Sequence, residues 1–122
     1  MKPAKQDDAA EAYKLDDQVG FIMRRANQRH LAIFGGYIPD FTPMQFAALA
    51  KLHELGPSGQ NDLGRQTAMD AATMKGVIDR LAKRGLVATR PDPGDMRRVL
   101  VELTAAGRAA YLANEGAARA IT

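Results

Sequence analysis

Apolar side chains recur at steps of three and four over the first half of the chain, a spacing that predicts amphipathic helices. The first predicted helix has Asp16 as its N-cap and is expected to end at Gly35, Gly36 and Pro39. Its apolar stripe comprises Val19, Ile22, Met23, Ala26, His30, Ile33, Phe34 and Tyr37. We therefore expect a helix of about five turns with one apolar face.

Thr42 and Gln45 predict the start of a second helix, because threonine followed three residues later by glutamine is a capping box. This helix is expected to end near Leu55, before a glycine-proline pair. The next elements are a short helix, a tight turn and a further helix, at residues 60–67, 68–70 and 71–84. Asp70 is the predicted N-cap of the last helix, whose buried stripe is Met74, Val77, Ile78 and Leu81.

Helical periodicity stops at Gly85, and two segments with β-branched residues follow. Residues 86–90 and 99–103 are predicted strands, joined by an eight-residue turn that carries arginines at its tip. Thr104 is the predicted cap of a last helix that runs toward Ala120. Two short helices and then a charged hairpin are the order of elements in a winged helix-turn-helix. The predicted fold is thus mainly α, with a small β-hairpin wing.

The composition limits the kind of protein that this chain can be. Its 122 residues, 46% of them hydrophobic, suit one compact domain, here placed at residues 13–122 after a flexible leader at 1–12. The absence of cysteine excludes a disulfide framework, a thiolate metal site and a cysteine redox sensor. No apolar run approaches the roughly 20 residues of a membrane span, and no signal peptide is evident. We expect a soluble, cytoplasmic protein.

The net charge of +3 is confined to one part of the chain. Residues 58–100 hold eight Lys and Arg against five Asp and Glu, whereas the segments before and after hold equal numbers of both signs. The basic excess therefore coincides with the predicted helix-turn-helix and wing, as neutralisation of DNA phosphates would require. A solvated basic face without a ligand is the alternative that charge alone leaves open.

The candidate DNA contacts lie on the helix at 71–84, on the turn before it and on the wing. Thr73 can offer a hydroxyl and a methyl group to base edges, and Lys75 can donate to guanine or to phosphate. Arg80 and Lys83 lie later on the helix and suit backbone contacts, which position a protein without specifying sequence. The full candidate set is Thr67, Ala71, Ala72, Thr73, Lys75, Gly76, Arg80, Lys83, Arg97 and Arg98.

Catalysis is not predicted. The two histidines are 23 positions apart, without acids at metal-ligand spacing, and no glycine-rich phosphate loop precedes a helix. No catalytic residue, metal site or cofactor is expected. The alternative to a DNA reader is a winged-helix docking module for protein or RNA without ligand control, which would tolerate charge reversal on helix and wing.

Three stretches resemble the signature of MarR-family transcriptional regulators. They are Arg-Leu-Ala-Lys-Arg-Gly-Leu-Val at 80–87, Asp-Pro-Gly-Asp-Met-Arg at 92–97 and Val-Glu-Leu-Thr-Ala-Ala-Gly at 101–107. The resemblance extends from about Leu15 to the C-terminus. It implies a winged helix-turn-helix at 42–104 with flanking dimerisation helices at 13–38 and 105–122. It also implies a homodimeric repressor on a pseudo-palindromic, double-stranded operator, released by a small ligand.

Two departures from the family pattern bear on these implications. Met96 stands between Asp95 and Arg97, where many relatives have a second arginine. Asp95 and Arg97 can still pair to stiffen the wing, with either Arg97 or Arg98 entering the minor groove. The chain also ends at Thr122, earlier than its relatives, so either the sequence is truncated or the dimer interface is smaller than usual.

A narrower resemblance concerns residues 20–30 and 60–76, which are similar to the MarR subgroup that represses nicotinate-degradation genes and responds to hydroxylated nicotinic acid. A histidine on an apolar stripe needs a polar partner, and two hypotheses supply one. His30 is either a core histidine that is hydrogen-bonded within the protein or across the dimer, or a ligand of a small aromatic carboxylate. The second hypothesis places Asn27, His30 and His53 in a cleft between the dimerisation helices and the winged domain.

Overall fold

The computed structural model describes residues 12–121, in two compact units that meet in sequence between Ala32 and Ile33. The helices of this part of the chain are α1 (Val19–Tyr37), α2 (Pro43–Leu55), α3 (Gln60–Gln66), α4 (Ala71–Lys83) and α5 (Ala105–Ala120). The strands are β1 (Ser58–Gly59), β2 (Val87–Asp92) and β3 (Asp95–Leu103). The predicted mainly helical fold with a hairpin wing is confirmed. The predicted leader lies, Ala12 excepted, outside the described residues, and the limits predicted for one domain at 13–122 stay a prediction.

The start and end of α1 differ from the prediction. Asp16 lies inside a short 3-10 turn, Leu15–Asp17, and α1 begins only at Val19, so the assignment of Asp16 as its N-cap is wrong. Gly35 and Gly36 are helical and do not end α1. The helix ends at Tyr37 because the residue before Pro39 is sterically disfavoured in the helical region.

The apolar stripe predicted for α1 is largely exposed in the single chain. Val19 and Met23 are 73% and 66% exposed, and Ile22, Ile33 and Tyr37 are exposed as well. Phe34 is the buried residue of α1. Helical periodicity identifies an apolar face correctly, but it does not say whether the surface that covers this face belongs to the same chain.

The predicted capping box of α2 is confirmed. Thr42 Oγ1 accepts a hydrogen bond from the Gln45 backbone N–H at 3.1 Å, and Gln45 Oε1 accepts one from the Thr42 backbone N–H at 3.1 Å. The helix ends at Leu55, as predicted, because Gly56 takes a backbone φ of +79° that residues other than glycine rarely adopt. These local signals fix the direction in which the chain enters the helix-turn-helix.

The turn between α3 and α4 holds the two helices close together. Gly64 packs against this turn, and its carbonyl oxygen accepts the Met69 backbone N–H at 2.9 Å. The predicted stripe of α4, Met74, Val77, Ile78 and Leu81, is buried, and it packs in one core with Leu63 of α3 and Val101 of β3. This shared core sets the orientation of α4 relative to α3 and the sheet.

The sheet has the strand order β1-β3-β2, with antiparallel pairing throughout. Pairing extends from Val87 with Leu103 to Asp92 with Asp95, with an irregularity after Pro91, so only Pro93 and Gly94 separate the two long strands. The prediction of an eight-residue turn is therefore wrong. The proline, glycine and aspartate residues of this segment are typical of a longer turn. In the structure a short turn is closed by Asp92 Oδ1, which accepts the Gly94 backbone N–H at 2.8 Å.

No helix within residues 12–121 is long and apolar enough to cross a membrane.

Candidate nucleic-acid interface

The N-terminal end of α4 presents small side chains to solvent. Asp70 caps the helix through Oδ1, which accepts the Thr73 backbone N–H at 2.7 Å. This hydrogen bond, followed by a second one from the Thr73 side chain, lowers the pKa of Asp70 below its usual range. Ala71 and Ala72 are exposed, so a flat surface can approach the helix backbone closely here.

Lys75 is exposed and lies one turn from Asp79 on the outer face of α4. Its Nζ is 3.0 Å from Asp79 Oδ2, and both side chains are mostly exposed to water. An exposed pair of this kind contributes only about 0.3–0.5 kcal/mol, so Lys75 can exchange this partner for a phosphate or a base at little cost.

Arg80 folds back along α4 over Gly76. A Cβ atom at position 76 would lie 3.1 Å from Arg80 Nη1, so the absence of a side chain there makes room for the guanidinium. The cation thus lies near the middle of the outer face rather than at the C-terminal end of the helix. Lys83 is exposed one turn further on.

Two other polar residues of this region are engaged within the protein. The Thr67 hydroxyl donates to the Leu63 carbonyl oxygen at 2.7 Å, and the side chain is half-buried at the end of α3. Arg84 donates to the Asp40 carbonyl oxygen at 2.8 Å and lies over the Phe41 ring. Thr67 thus stabilises the turn, whatever further contact its oxygen makes.

The structure brings Asp95 and Arg97 together at the tip of the wing. Asp95 Oδ1 accepts the Arg97 Nε–H at 3.2 Å and the Arg97 backbone N–H at 3.1 Å. The Arg97 side-chain hydrogen bond is the largest cause that holds the pKa of Asp95 below its usual range. The Arg97 side chain is nevertheless 91% exposed, so its cation projects into solvent. Met96 beside it is also exposed.

Arg98 has different surroundings from Arg97. Its guanidinium contacts Asp62 of α3 and Asp92 of β2, and Asp62 is also hydrogen-bonded to Arg65. An open cleft of about 390 Å³ lies between α3 and the wing, and its lining includes Gln60, Asn61, Asp62, Arg65 and Arg98. Asp62 and Asp92 were not predicted as partners of the wing arginines. Only their acidic character beside a basic hairpin could have drawn attention to them.

The candidate ligand residues belong to different units of the structure. Asn27 and His30 are exposed on the part of α1 that precedes Ile33. His53 lies on α2, where its ring stacks on Tyr111 of α5 with centroids 4.6 Å apart. Tyr111 in turn donates to Glu115 Oε2 at 3.2 Å, and burial, followed by this carboxylate, raises the pKa of the phenol. Tyr111 was not predicted as a neighbour of His53. No metal-binding group of three His, Asp or Glu side chains occurs within residues 12–121.

Comparison with known proteins gives consistent matches. The MarR family model matches residues 41–99. The transcriptional repressor NicR of Pseudomonas putida is 48% identical over 99 residues, which are 80% of this chain and 63% of NicR. The chain thus spans less than two thirds of the length of that relative.

Two solved structures are similar to most of the chain, including the winged region. A probable transcriptional regulator from Pseudomonas aeruginosa superposes with a TM-score of 0.84 at 58% identity, covering 88% of this chain and 82% of that one. BpsR of Bordetella bronchiseptica, whose DNA binding is regulated by 6-hydroxynicotinic acid, superposes with a TM-score of 0.84 at 44% identity, covering 90% and 80%. These relatives are regulators, in agreement with the prediction that the chain is not an enzyme.

Proposed function

The chain belongs to the MarR family, and from this premise we propose that it is a sequence-specific, DNA-binding transcriptional repressor of the cytoplasm. One observation carries the proposal. The outer face of α4 and the tip of the wing belong to one unit and present exposed cations, Lys75, Arg80, Lys83 and Arg97. A helix with small residues at its start can enter the major groove, and a basic tip beside it can reach the minor groove.

We further propose that the protein acts as a homodimer on a palindromic operator. The exposed apolar side chains of α1, such as Val19 and Met23, support this, because a monomer would leave them in water. Leu112 is exposed in the same way on α5. The predicted dimerisation segments, 13–38 and 105–122, contain these residues. A twofold dimer would present its two α4 helices about 34 Å apart, one turn of DNA or a multiple of it.

Lys75→Ala tests the DNA-binding proposal. We expect the variant to bind about ten-fold more weakly to a duplex selected from a random pool by the purified protein. If the lost contact is to a phosphate, the slope of log affinity against log salt should also fall by about one. Fluorescence anisotropy titrations at several salt concentrations measure both quantities.

Lys51→Ala is the matched control, since Lys51 forms a similar exposed ion pair with Glu54 on α2 and should leave both values unchanged. Failure to select any sequence, together with tolerance of Lys75→Glu in the binding of another partner, would favour the docking module. Equal affinity of Lys75→Ala and the unmodified protein would remove Lys75 from the contact set.

A small aromatic acid, such as a hydroxylated nicotinic acid, is the proposed effector. The similarity to BpsR supports this part of the proposal, with Asn27, His30 and His53 as the candidate ligand residues. A ligand releases DNA only to the extent that it binds the DNA-incompetent state more tightly. We expect calorimetric heat and a loss of operator affinity with 6-hydroxynicotinate, and neither with benzoate. If no aromatic acid gives heat, the effector proposal is wrong and the DNA-binding proposal stands.

A further inference from the structure

In addition to the core packing of Leu63 against Val101, the side chain of Arg98 links the wing to α3. Its Nη2 donates to Asp62 Oδ2 of α3 at 3.0 Å, and its Nη1 lies 3.5 Å from Asp92 Oδ2 of β2. One cation on β3 therefore connects two acids that belong to two other elements. The side chain is 47% exposed, so half of its surface is committed to these contacts.

Gly59 provides the space that this side chain occupies. It lies in β1, opposite Leu100 of β3, and it is buried. A Cβ atom at position 59 would clash with the Arg98 guanidinium and would lie 3.2 Å from its Cζ. The guanidinium therefore lies against the backbone at Gly59 as well as beside two acids.

The two wing arginines thus have opposite surroundings. Arg97 pairs with Asp95 on its own strand and projects into solvent, so it moves with the wing tip. Arg98 points back toward α3, which is joined to α4 by the tight turn around Gly64. The contact between Arg98 and Asp62 therefore fixes the position of the wing tip relative to the outer face of α4.

We propose that Arg98 is a positioning residue of the wing, held by Asp62 and Asp92, and that Arg97 is the wing arginine that contacts DNA. This inference rests on the proposed DNA-binding function. The two acids draw the Arg98 side chain toward α3 and β2, away from the tip where Arg97 projects into solvent. An exposed ion pair adds little to the stability of a fold, but a fixed tip avoids the entropy cost of ordering a mobile wing on binding.

Asp62→Asn distinguishes a positioning role of Arg98 from a direct contact between Arg98 and DNA, because the two roles predict opposite changes in DNA affinity. If Arg98 contacted DNA, removal of an acid beside it would reduce repulsion of phosphates and release Arg98 and Arg65, so affinity would rise. If Asp62 holds the wing, affinity falls by about five-fold, and Arg98→Gln adds little to the loss in the double variant. Anisotropy titration with the selected duplex measures each constant of this cycle.

Arg90→Gln and Glu102→Gln are the matched controls. These side chains form an ion pair of 3.4 Å within the hairpin, so their removal changes the same charges without affecting the link to α3. Thermal unfolding by circular dichroism should give the same Tm for all of these variants. Tighter binding by Asp62→Asn, or additive losses in the double variant, would overturn the proposal.

Backbone ¹⁵N relaxation of the DNA-free protein tests positioning independently of DNA binding. We expect the order parameters of residues 94–97 to fall in Asp62→Asn and in Arg98→Gln, and to stay unchanged in Arg90→Gln. Unchanged order parameters in the first two variants would overturn the positioning role. A protein that binds no duplex would instead contradict the proposed function, and the relaxation result would still decide the role of Arg98.

Discussion

Gly107→Ala is expected to destabilise the protein by more than about 3 kcal/mol, a large fraction of the roughly 5–15 kcal/mol that stabilises a small domain. A Cβ atom at this position would overlap the Leu86 carbonyl oxygen and would lie 2.9 Å from its carbonyl carbon. Backbone cannot yield as a flexible side chain can. Urea denaturation followed by circular dichroism measures the free energy of unfolding.

The surroundings of Gly107 leave little room for relaxation. The Leu86 carbonyl oxygen accepts the Thr104 backbone N–H at 3.1 Å, and the Thr104 hydroxyl donates to the Gly85 carbonyl oxygen at 2.7 Å. The same Thr104 oxygen accepts the Gly107 backbone N–H at 3.0 Å and so caps α5. A shift of α5 away from Leu86 would therefore break several hydrogen bonds at once.

Gly116→Ala is the control for Gly107→Ala, because it makes the same change in the same helix where no atom lies within 4 Å of the added methyl group. It should stabilise the protein by about 0.5–1 kcal/mol through the lower entropy of the unfolded chain. Similar unfolding free energies for the two variants would show that the close approach at Gly107 is not required.

Arg97→Ala is expected to weaken operator binding by at least about ten-fold, with little change in stability. Its side chain is almost fully exposed at the wing tip, where its positive charge suits the negative potential of a narrow minor groove. Preference for an A·T tract under the wing over a G·C tract should also decrease. Competition titrations with the two duplexes measure this preference.

Arg108→Ala removes an equal charge from α5 and serves as the control for Arg97→Ala. It should retain both the affinity and the A·T preference. An equal loss in the two variants would mean that net charge, rather than a positioned arginine, explains the effect. No loss in either would mean that the wing does not contribute to binding.

Three helix caps were read correctly from the sequence, whereas the cap assigned to Asp16 was wrong. The caps at Thr42, Asp70 and Thr104 each join a side chain to a backbone N–H three residues later, so the sequence contains both partners. The buried stripe of α4 could also be predicted from the sequence, because a periodicity of 3.6 residues alone defines it.

The features that the sequence did not reveal depend on residues far apart in the chain. Arg98 and Asp62 are separated by 36 positions, and their contact exists only because β3 pairs with the two-residue strand β1 beside α3. A strand of two residues has no periodicity to detect. The departure at Met96 likewise left the choice between Arg97 and Arg98 open, and the different partners of the two side chains support the proposal that Arg97 contacts DNA.

Strand β3 connects the wing tip to the last helix. One end, Leu103, leads directly into α5, and the other end, Asp95, forms the wing tip about 26 Å away, given the rise of a strand. In a rigid strand, a rotation at one end displaces the other end in proportion to the length of the strand. A rotation of about 10° at the α5 end would displace the tip by about 4.5 Å, more than the rise of about 3.4 Å between neighbouring base pairs. On the proposed function, a change in the angle of the last helix that turned β3 with it would move Arg97 out of register with DNA.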